Sequence, residues 1–207
     1  MSEPRLTRRQ MLARSAAAAA GGGFLLGLLR CGESVPASLV PPDLVRRGLL
    51  RPPGAMAERE FLARCIRCQR CAQACETDAI LLAPRAAGRA AHTPYIVPET
   101  SACDLCLACG KACPTGALRP LEKMADARMG TAVVDKRLCV SHNGTGVCGA
   151  CFTICPLKGK AITQGKHNAP TVDDAHCVGC GLCEEACIVT DRNDGRAIRV
   201  RSERAWS

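Results

Sequence analysis

The residues with the clearest chemistry are cysteines, which number 17 in a chain of 207 residues. Sixteen of them form four groups of four along the sequence. Three groups share the spacing Cys-x2-Cys-x2-Cys-x3-Cys, whereas eight residues separate the first two cysteines of the third group. Repetition at this spacing predicts a repeated metal-binding unit. The groups are Cys65, Cys68, Cys71 and Cys75; Cys103, Cys106, Cys109 and Cys113; Cys139, Cys148, Cys151 and Cys155; and Cys177, Cys180, Cys183 and Cys187.

This spacing is typical of [4Fe–4S] ligation by thiolates, in which the fourth cysteine of a run binds the neighbouring cluster. Three closely spaced cysteines on a loop can reach three irons of one cubane, and the fourth, on a short helical turn, points away. We therefore predict four [4Fe–4S] clusters with ligands exchanged between paired groups. The predicted ligand sets are Cys65, Cys68, Cys71 and Cys113; Cys103, Cys106, Cys109 and Cys75; Cys139, Cys148, Cys151 and Cys187; and Cys177, Cys180, Cys183 and Cys155.

The first segment has the features of a targeting signal rather than of a folded domain. A basic start containing Arg8 and Arg9 precedes an uncharged run over residues 15–29. This pattern predicts a twin-arginine export signal over residues 1–37 and a periplasmic location. The uncharged run is shorter than the about 20 residues of a comfortable membrane span. An uncleaved anchor and a lipoprotein site at Cys31, the seventeenth cysteine, are the alternatives.

Two other uses of cysteine compete with iron–sulfur ligation. Structural zinc sites also contain Cys-x2-Cys, but usually as two pairs that lie far apart in the sequence. Disulfides are common in exported proteins because the compartment is oxidising. Twin-arginine export carries folded proteins, so clusters inserted beforehand would protect their thiolates. A [3Fe–4S] cluster would require a missing ligand, and each group has all four cysteines.

The elements that position these cysteines are predicted to be short. We expect an α+β fold of tandem bacterial-ferredoxin-like units, with short hairpins, short helices and much loop. Helical turns are expected between the third and fourth cysteines of each group. Further predictions are a helix over 58–63, hairpins that pair 79–82 with 95–97 and 161–163 with 171–172, and a strand over 131–134.

Five segments are predicted along the chain. The lead-in is expected to be extended because paired prolines exclude helix. An insertion over 142–146 in the third group is predicted to be a surface loop. The charged stretches 158–160 and 199–204 are predicted to be solvated faces, with partner docking as the alternative. The segments are the signal 1–37, the lead-in 38–60, a first ferredoxin-like pair of motifs over 61–118, a link over 119–130 and a second pair over 131–207.

Composition argues against other classes of function. The formal net charge is +9, but five arginines lie in residues 1–37 and each cluster on four thiolates carries about −2. The loaded mature protein is expected to be near neutral, which gives no reason to predict nucleic-acid binding. Aromatic residues make up only 2% of the chain, so clusters are expected to fill space that aromatic side chains usually fill. No catalytic constellation is present, which predicts an electron carrier rather than an enzyme.

Beyond the cysteines, the sequence resembles the NapG/MauM family of ferredoxin-type proteins over nearly its whole length. The likeness includes the twin-arginine start, Leu50-Arg51-Pro52-Pro53-Gly54-Ala55, Thr93-Pro94-Tyr95-Ile96-Val97 and Asp126-Ala127-Arg128-Met129-Gly130. The resemblance implies a periplasmic carrier with four [4Fe–4S] clusters. It also implies a membrane quinol dehydrogenase partner of the NapH type, through which the protein associates with the membrane. The electrons would pass towards a periplasmic oxidoreductase such as nitrate reductase.

Three alternative functions stay open at this stage. A MauM-like protein would serve methylamine oxidation. An iron–sulfur subunit of a molybdenum oxidoreductase complex would copurify with a catalytic chain. An assembly factor would use its clusters structurally, and reversible reduction by a quinol-coupled partner would argue against that role.

Overall fold

The computed structural model describes residues 48–191, 195–202 and 204, so the predicted export signal and Cys31 lie outside it. The described elements are short and joined by much loop, which confirms the predicted α+β class. The helices are Glu58–Arg64 (α1), Arg70–Gln73 (α2), Ala108–Ala112 (α3), Val140–Asn143 (α4), Ala150–Ile154 (α5) and Leu182–Glu185 (α6). The strands are Ile80–Leu82 (β1), Pro94–Ile96 (β2), Thr131–Val134 (β3), Ile162–Gln164 (β4), Pro170–Val172 (β5), Thr190–Asp191 (β6), Gly195–Arg196 (β7) and Ile198–Arg201 (β8). Single 3-10 segments occupy Arg85–Ala90, Met124–Asp126 and Lys166–Asn168. Across the described ranges, no helix combines the length and the hydropathy that crossing a bilayer requires.

The strands form four antiparallel pairs. β1 pairs with β2, with Leu81 opposite Tyr95, and β4 pairs with β5, with Thr163 opposite Thr171. Both hairpins were predicted from short β signals on either side of an intervening stretch. The third pair, β3 with β8, was not predicted, because its two strands lie more than 60 residues apart in the sequence. The fourth pair is β6 with β7.

The prediction that 199–204 is a solvated face holds for Arg201 and is wrong for Val200 and Arg204. β8 buries Ile198 and Val200 against the core while Arg201 points to solvent, a period-two pattern that the arginines obscure. The Arg204 side chain is 20% exposed, and its guanidinium donates to the carbonyl oxygens of Met56, at 2.7 Å, and Ala55, at 2.9 Å. The C-terminal segment therefore closes the fold against the lead-in.

Two stretches of chain repeat the same plan. In the first, a bridge between Ala55 and Leu118 brings its ends together. In the second, the β3–β8 pair does so. Between its ends each stretch holds a helical turn, a hairpin and another helical turn: α2, β1–β2 and α3 in the first, and α5, β4–β5 and α6 in the second. One hydrophobic core runs through both, from Phe61 to Ile198, and cysteines form much of it.

The described part of the lead-in is extended, as predicted, but it is also buried. Leu49, Leu50 and Arg51 are all 5% exposed or less. The Arg51 guanidinium lies 4.4 Å from the centre of the Phe61 ring and donates to both carboxylate oxygens of Glu58, at 3.1 and 2.5 Å. A fully desolvated cation needs such compensation, because an unpaired charge is costly in the interior.

Glu58→Gln is expected to lower the free energy of unfolding by about 3 kcal/mol, because it leaves buried Arg51 without its counter-charge. Glu60→Gln is the matched control: Glu60 lies in the same first helical turn, but its pair with Arg64 is exposed and contributes less than about 0.5 kcal/mol. Thermal unfolding of the loaded proteins under argon measures the difference. Equal shifts in the two midpoints would contradict the role given to Glu58.

The two repeats meet where the second and fourth cysteine groups pack together. The Cys103 amide donates to the Cys180 carbonyl at 3.0 Å, and the Met129 amide donates to the Val178 carbonyl at 3.0 Å. Gly181 is in the left-handed region, with φ +90°, and a Cβ placed on it would lie 2.3 Å from the Cβ of Pro98. The junction therefore depends on a residue without a side chain at position 181.

Gly181→Ala is expected to lower the free energy of unfolding by about 2–5 kcal/mol, from left-handed strain and the clash with Pro98. Gly116→Ala isolates the strain, because Gly116 has φ +68° and no atom within 4 Å of the added Cβ. That control is expected to cost only about 1–2 kcal/mol. The unfolding midpoints of the two variants measure the two losses of stability. A loss in Gly116→Ala as large as that in Gly181→Ala would show that the contact with Pro98 contributes nothing.

Candidate metal centres

Four cavities open among the cysteines. Each cavity is lined by four cysteines, and these are the four of one predicted ligand set. Three come from one group and the fourth comes from the paired group. Site 1 has Cys65, Cys68, Cys71 and Cys113; site 2 has Cys103, Cys106, Cys109 and Cys75; site 3 has Cys139, Cys148, Cys151 and Cys187; and site 4 has Cys177, Cys180, Cys183 and Cys155.

The short helical turns carry ligands from one site to the next. Cys71, in α2, lines site 1, and Cys75, just after α2, lines site 2. Likewise Cys183, in α6, lines site 4, whereas Cys187, beyond the end of α6, lines site 3. The predicted helical turns between the third and fourth cysteines are therefore present. Across each turn, the third cysteine lines one cavity and the fourth lines the neighbouring cavity.

The three regular groups share one backbone conformation. In each of them, the residues two and four positions after the first cysteine are in the left-handed region. This alternation is the kind that turns backbone amides towards a common concavity that binds negative charge. Side chains other than glycine pay about 1–2 kcal/mol for this conformation, so it is maintained by the surrounding structure. The residues are Arg67 and Gln69, Leu105 and Leu107, and Gly179 and Gly181.

Backbone amides donate to the cysteine sulfurs. Leu105 donates to Cys103 Sγ, Leu118 donates to Cys113 Sγ and Ala132 donates to Cys177 Sγ, each at 3.4 Å. Such bonds stabilise the thiolate and tune the potential of a cluster that it holds. Leu118 and Ala132 lie in the pairings that close the two repeats, so the same backbone segments close the fold and contact the sites. Spacing rules alone do not reveal these donors.

Burial raises the pKa of eight described cysteine thiols, and neighbouring thiols contribute. Such thiols are protonated and unreactive at neutral pH. The four thiols of one site can all ionise only when a positive metal core offsets their negative charge, so binding of the core releases their protons. The pKa rises to about 11 at Cys71, Cys151 and Cys180, to about 12 at Cys103 and Cys109, well above the ordinary value at Cys183, and in the same direction at Cys106 and Cys155.

The cavities fit a cluster better than a single ion. A zinc ion on four cysteines draws every sulfur to about 2.3 Å from the metal and leaves no hollow between them. Among the described residues, no group of three or more Cys, His, Asp or Glu side chains is placed to hold a single metal ion. A [4Fe–4S] core, with an iron for each thiolate and sulfides between the irons, matches both the donor set and the hollow.

The third group differs from the others, and the structure corrects one prediction there. His142 and Asn143 were predicted to lie in a surface loop, but they complete the helix α4, which ends at Gly144. The buried hydroxyl of Ser141 accepts from the Cys148 amide at 2.9 Å and donates to the Cys148 carbonyl at 3.3 Å. Ser141 therefore places Cys148 across the longer gap, a role that sequence reasoning missed.

The sites follow one another in the order 1, 2, 4, 3. The Cys71 thiol of site 1 is close enough to raise the pKa of Cys109 in site 2. The Cys180 thiol of site 4 does the same to Cys103 in site 2. In the same way, Cys151 of site 3 raises the pKa of Cys183 in site 4. Sites 1 and 3 are therefore the two ends of the series, although they are not first and last in the sequence.

Comparison with protein families supports the metal chemistry. A family model described as a 4Fe-4S dicluster domain matches residues 64–117 and again residues 102–159. The two matches span the first three cysteine groups. They identify [4Fe–4S] binding as the property shared with that family.

Comparison with curated proteins finds relatives along most of the chain. A ferredoxin-type protein NapG from Escherichia coli is 40% identical over 91% of this chain and 84% of its own length. A methylamine utilization ferredoxin-type protein MauM from Methylophilus methylotrophus is 42% identical over 69% of this chain and 68% of its own. A NapG from Haemophilus influenzae is 38% identical over 92% and 72% of the two chains. The NapG and MauM proteins therefore have about the same percentage identity to this chain.

Proposed function

The chain belongs to the NapG and MauM family of ferredoxin-type proteins, and on that premise we propose that it conducts electrons along four [4Fe–4S] clusters. It is an electron carrier rather than an enzyme, as its relatives are. The sixteen cysteines of sites 1–4 would hold the clusters, which supply one-electron chemistry when bound. The protein contributes their order, their burial and the hydrogen bonds to their sulfurs.

The single observation that carries this proposal is the series of four cysteine-lined cavities inside one core. A store of structural clusters would not need its sites to adjoin one another. Adjoining sites from site 1 to site 3 give a path for electrons. The pairing of Cys103 with Cys180 joins the two repeats at the middle of that path.

The cellular setting is also part of the proposal. The twin-arginine pattern over residues 1–37 supports export of the folded, loaded protein to the periplasm. There it would receive electrons from a NapH-like membrane quinol dehydrogenase, which would also hold it at the membrane. The acceptor would be a periplasmic oxidoreductase of the nitrate reductase type. Because the MauM relatives are as similar as the NapG relatives, electron transfer in methylamine oxidation is the second candidate.

The test is reduction of the anaerobically purified protein by quinol, through membranes prepared from the native cells. Bleaching of the visible iron–sulfur absorption is expected only when quinol and membranes are both present. A control variant with Cys180→Ala and Cys183→Ala lacks two site 4 ligands and should be reduced to a smaller extent, because the series is interrupted. A native protein that dithionite reduces reversibly but quinol with membranes does not would overturn the proposed partnership.

A further inference from the structure

The surface above site 1 differs in charge from the surfaces above the other sites. The cysteine loop 64–71 and the segment 84–93 contain five arginines and no acidic residue. The cysteine loop of site 2 contains Asp104, and those of sites 3 and 4 contain no Arg, Lys, Asp or Glu. We call the two segments around site 1 the basic face.

The basic face is one continuous surface. The Arg67 guanidinium donates to the Ala91 carbonyl at 2.9 Å and to the Arg89 carbonyl at 3.1 Å. These bonds join the cysteine loop to the segment that connects β1 with β2. Arg67 therefore has a positioning role, and Arg64 pairs with Glu60 at 2.9 Å. The exposed Arg70, Arg85 and Arg89 carry the charge that would meet a partner's surface.

Site 1 opens at this face. Its cavity is lined by Ile66, Arg67, Gln69 and His92, and all four are exposed. Ile66 is 63% exposed, and the ligand Cys68 is exposed as well. An exposed apolar residue inside a charged rim is the usual composition of a protein docking surface.

We propose that the basic face is where an acidic redox protein docks, which makes site 1 the point at which electrons enter or leave. This rests on the proposed electron-carrier function. Site 1 is one end of the series, so a partner there would reach the whole path. Charge complementarity would steer the partner and orient it over Ile66 and Cys68, in a manner that depends on salt. A membrane surface would not require a cluster site opening at the contact, which favours a protein.

The test measures binding of the loaded protein to two haem proteins of opposite charge: acidic cytochrome b5 and basic cytochrome c. Surface plasmon resonance at low salt should show binding to cytochrome b5 that weakens at least tenfold in half-molar salt, and much weaker binding to cytochrome c. Arg70→Gln with Arg89→Gln should weaken binding of cytochrome b5 about tenfold. The control, Lys123→Gln with Arg128→Gln, removes two exposed charges outside the face and should leave it unchanged. Iron content confirms that all variants remain loaded.

Each other outcome has a definite meaning. Equal binding by the two variant pairs, or tighter binding to cytochrome c, would overturn the docking proposal. So would salt-sensitive binding to anionic phosphatidylglycerol vesicles that needs Arg70 and Arg89 while cytochrome b5 does not bind. A different outcome would contradict the electron-carrier function. In that case the reduced protein, with or without the substitutions, would pass electrons to neither cytochrome. Binding that depends on the arginines together with faster electron transfer to cytochrome b5 supports both.

Discussion

Removing Cys75 together with Cys106 is expected to cost the protein one cluster, whereas removing Cys75 together with Cys68 is expected to cost it two. Cys75 follows Cys68 in the same group, but it lines site 2 with Cys106. Cys68 lines site 1. The first pair of substitutions therefore removes two ligands from one site, and the second pair removes one ligand from each of two sites.

Alanine is the useful replacement because serine could still bind iron. The Cys75→Ala/Cys106→Ala protein should keep three intact clusters, or about 12 iron atoms per chain. The Cys75→Ala/Cys68→Ala protein should keep only two intact clusters, with both altered sites empty or converted to three-iron clusters. Iron analysis and quantified EPR of the reduced proteins distinguish the two results. The reverse pattern would mean that each group binds its own cluster.

Removing iron and sulfide is expected to unfold the described part of the chain. Its core packs Leu, Ile, Met and Val side chains around four cysteine-lined hollows, and Phe61 and Tyr95 are buried aromatic side chains. Its helices and strands are too short to persist alone. Without a metal core, the hollows would lose contacts or fill with water. Metal binding would then supply much of the folding free energy.

Circular dichroism and hydrogen exchange measure this effect before and after chelation under reducing conditions. The amides of Val133 and Arg199, which lie opposite each other in the β3–β8 pair, should lose their protection completely. Reconstitution with iron and sulfide should restore it, which excludes chemical damage as the cause. An apoprotein that keeps this protection and a cooperative unfolding transition would show that the clusters are not needed for the fold.

Local patterns predicted the local elements. The hairpins follow from short β signals, and α1 follows from Glu58 and Glu60 in its first turn and Arg64 in its last. The cysteines that spacing assigns to one cluster also line one cavity. The reason is that the x2 spacings place three cysteines on one tight loop. The x3 spacing places the fourth cysteine one helical turn away, whatever the surrounding sequence.

Features that depend on distant residues were not predictable in this way. The β3–β8 pair joins the start of the second repeat to its end, and a run of arginines hides the buried face of β8. The order of the sites depends on which loops pack together, such as Cys103 against Cys180. Ser141 carries no spacing signal at all. Arg51 could have been suspected, because it lies in one of the non-cysteine stretches that resemble the family.

The number and type of clusters are tested most directly by iron and acid-labile sulfide analysis, with EPR of the anaerobically purified and reduced protein. Four cysteine-lined sites predict about 16 iron and about 16 sulfide per chain, with S = ½ signals that interact because the sites adjoin. About 8 iron atoms per chain, or stoichiometric zinc in place of iron, would contradict the four-cluster account.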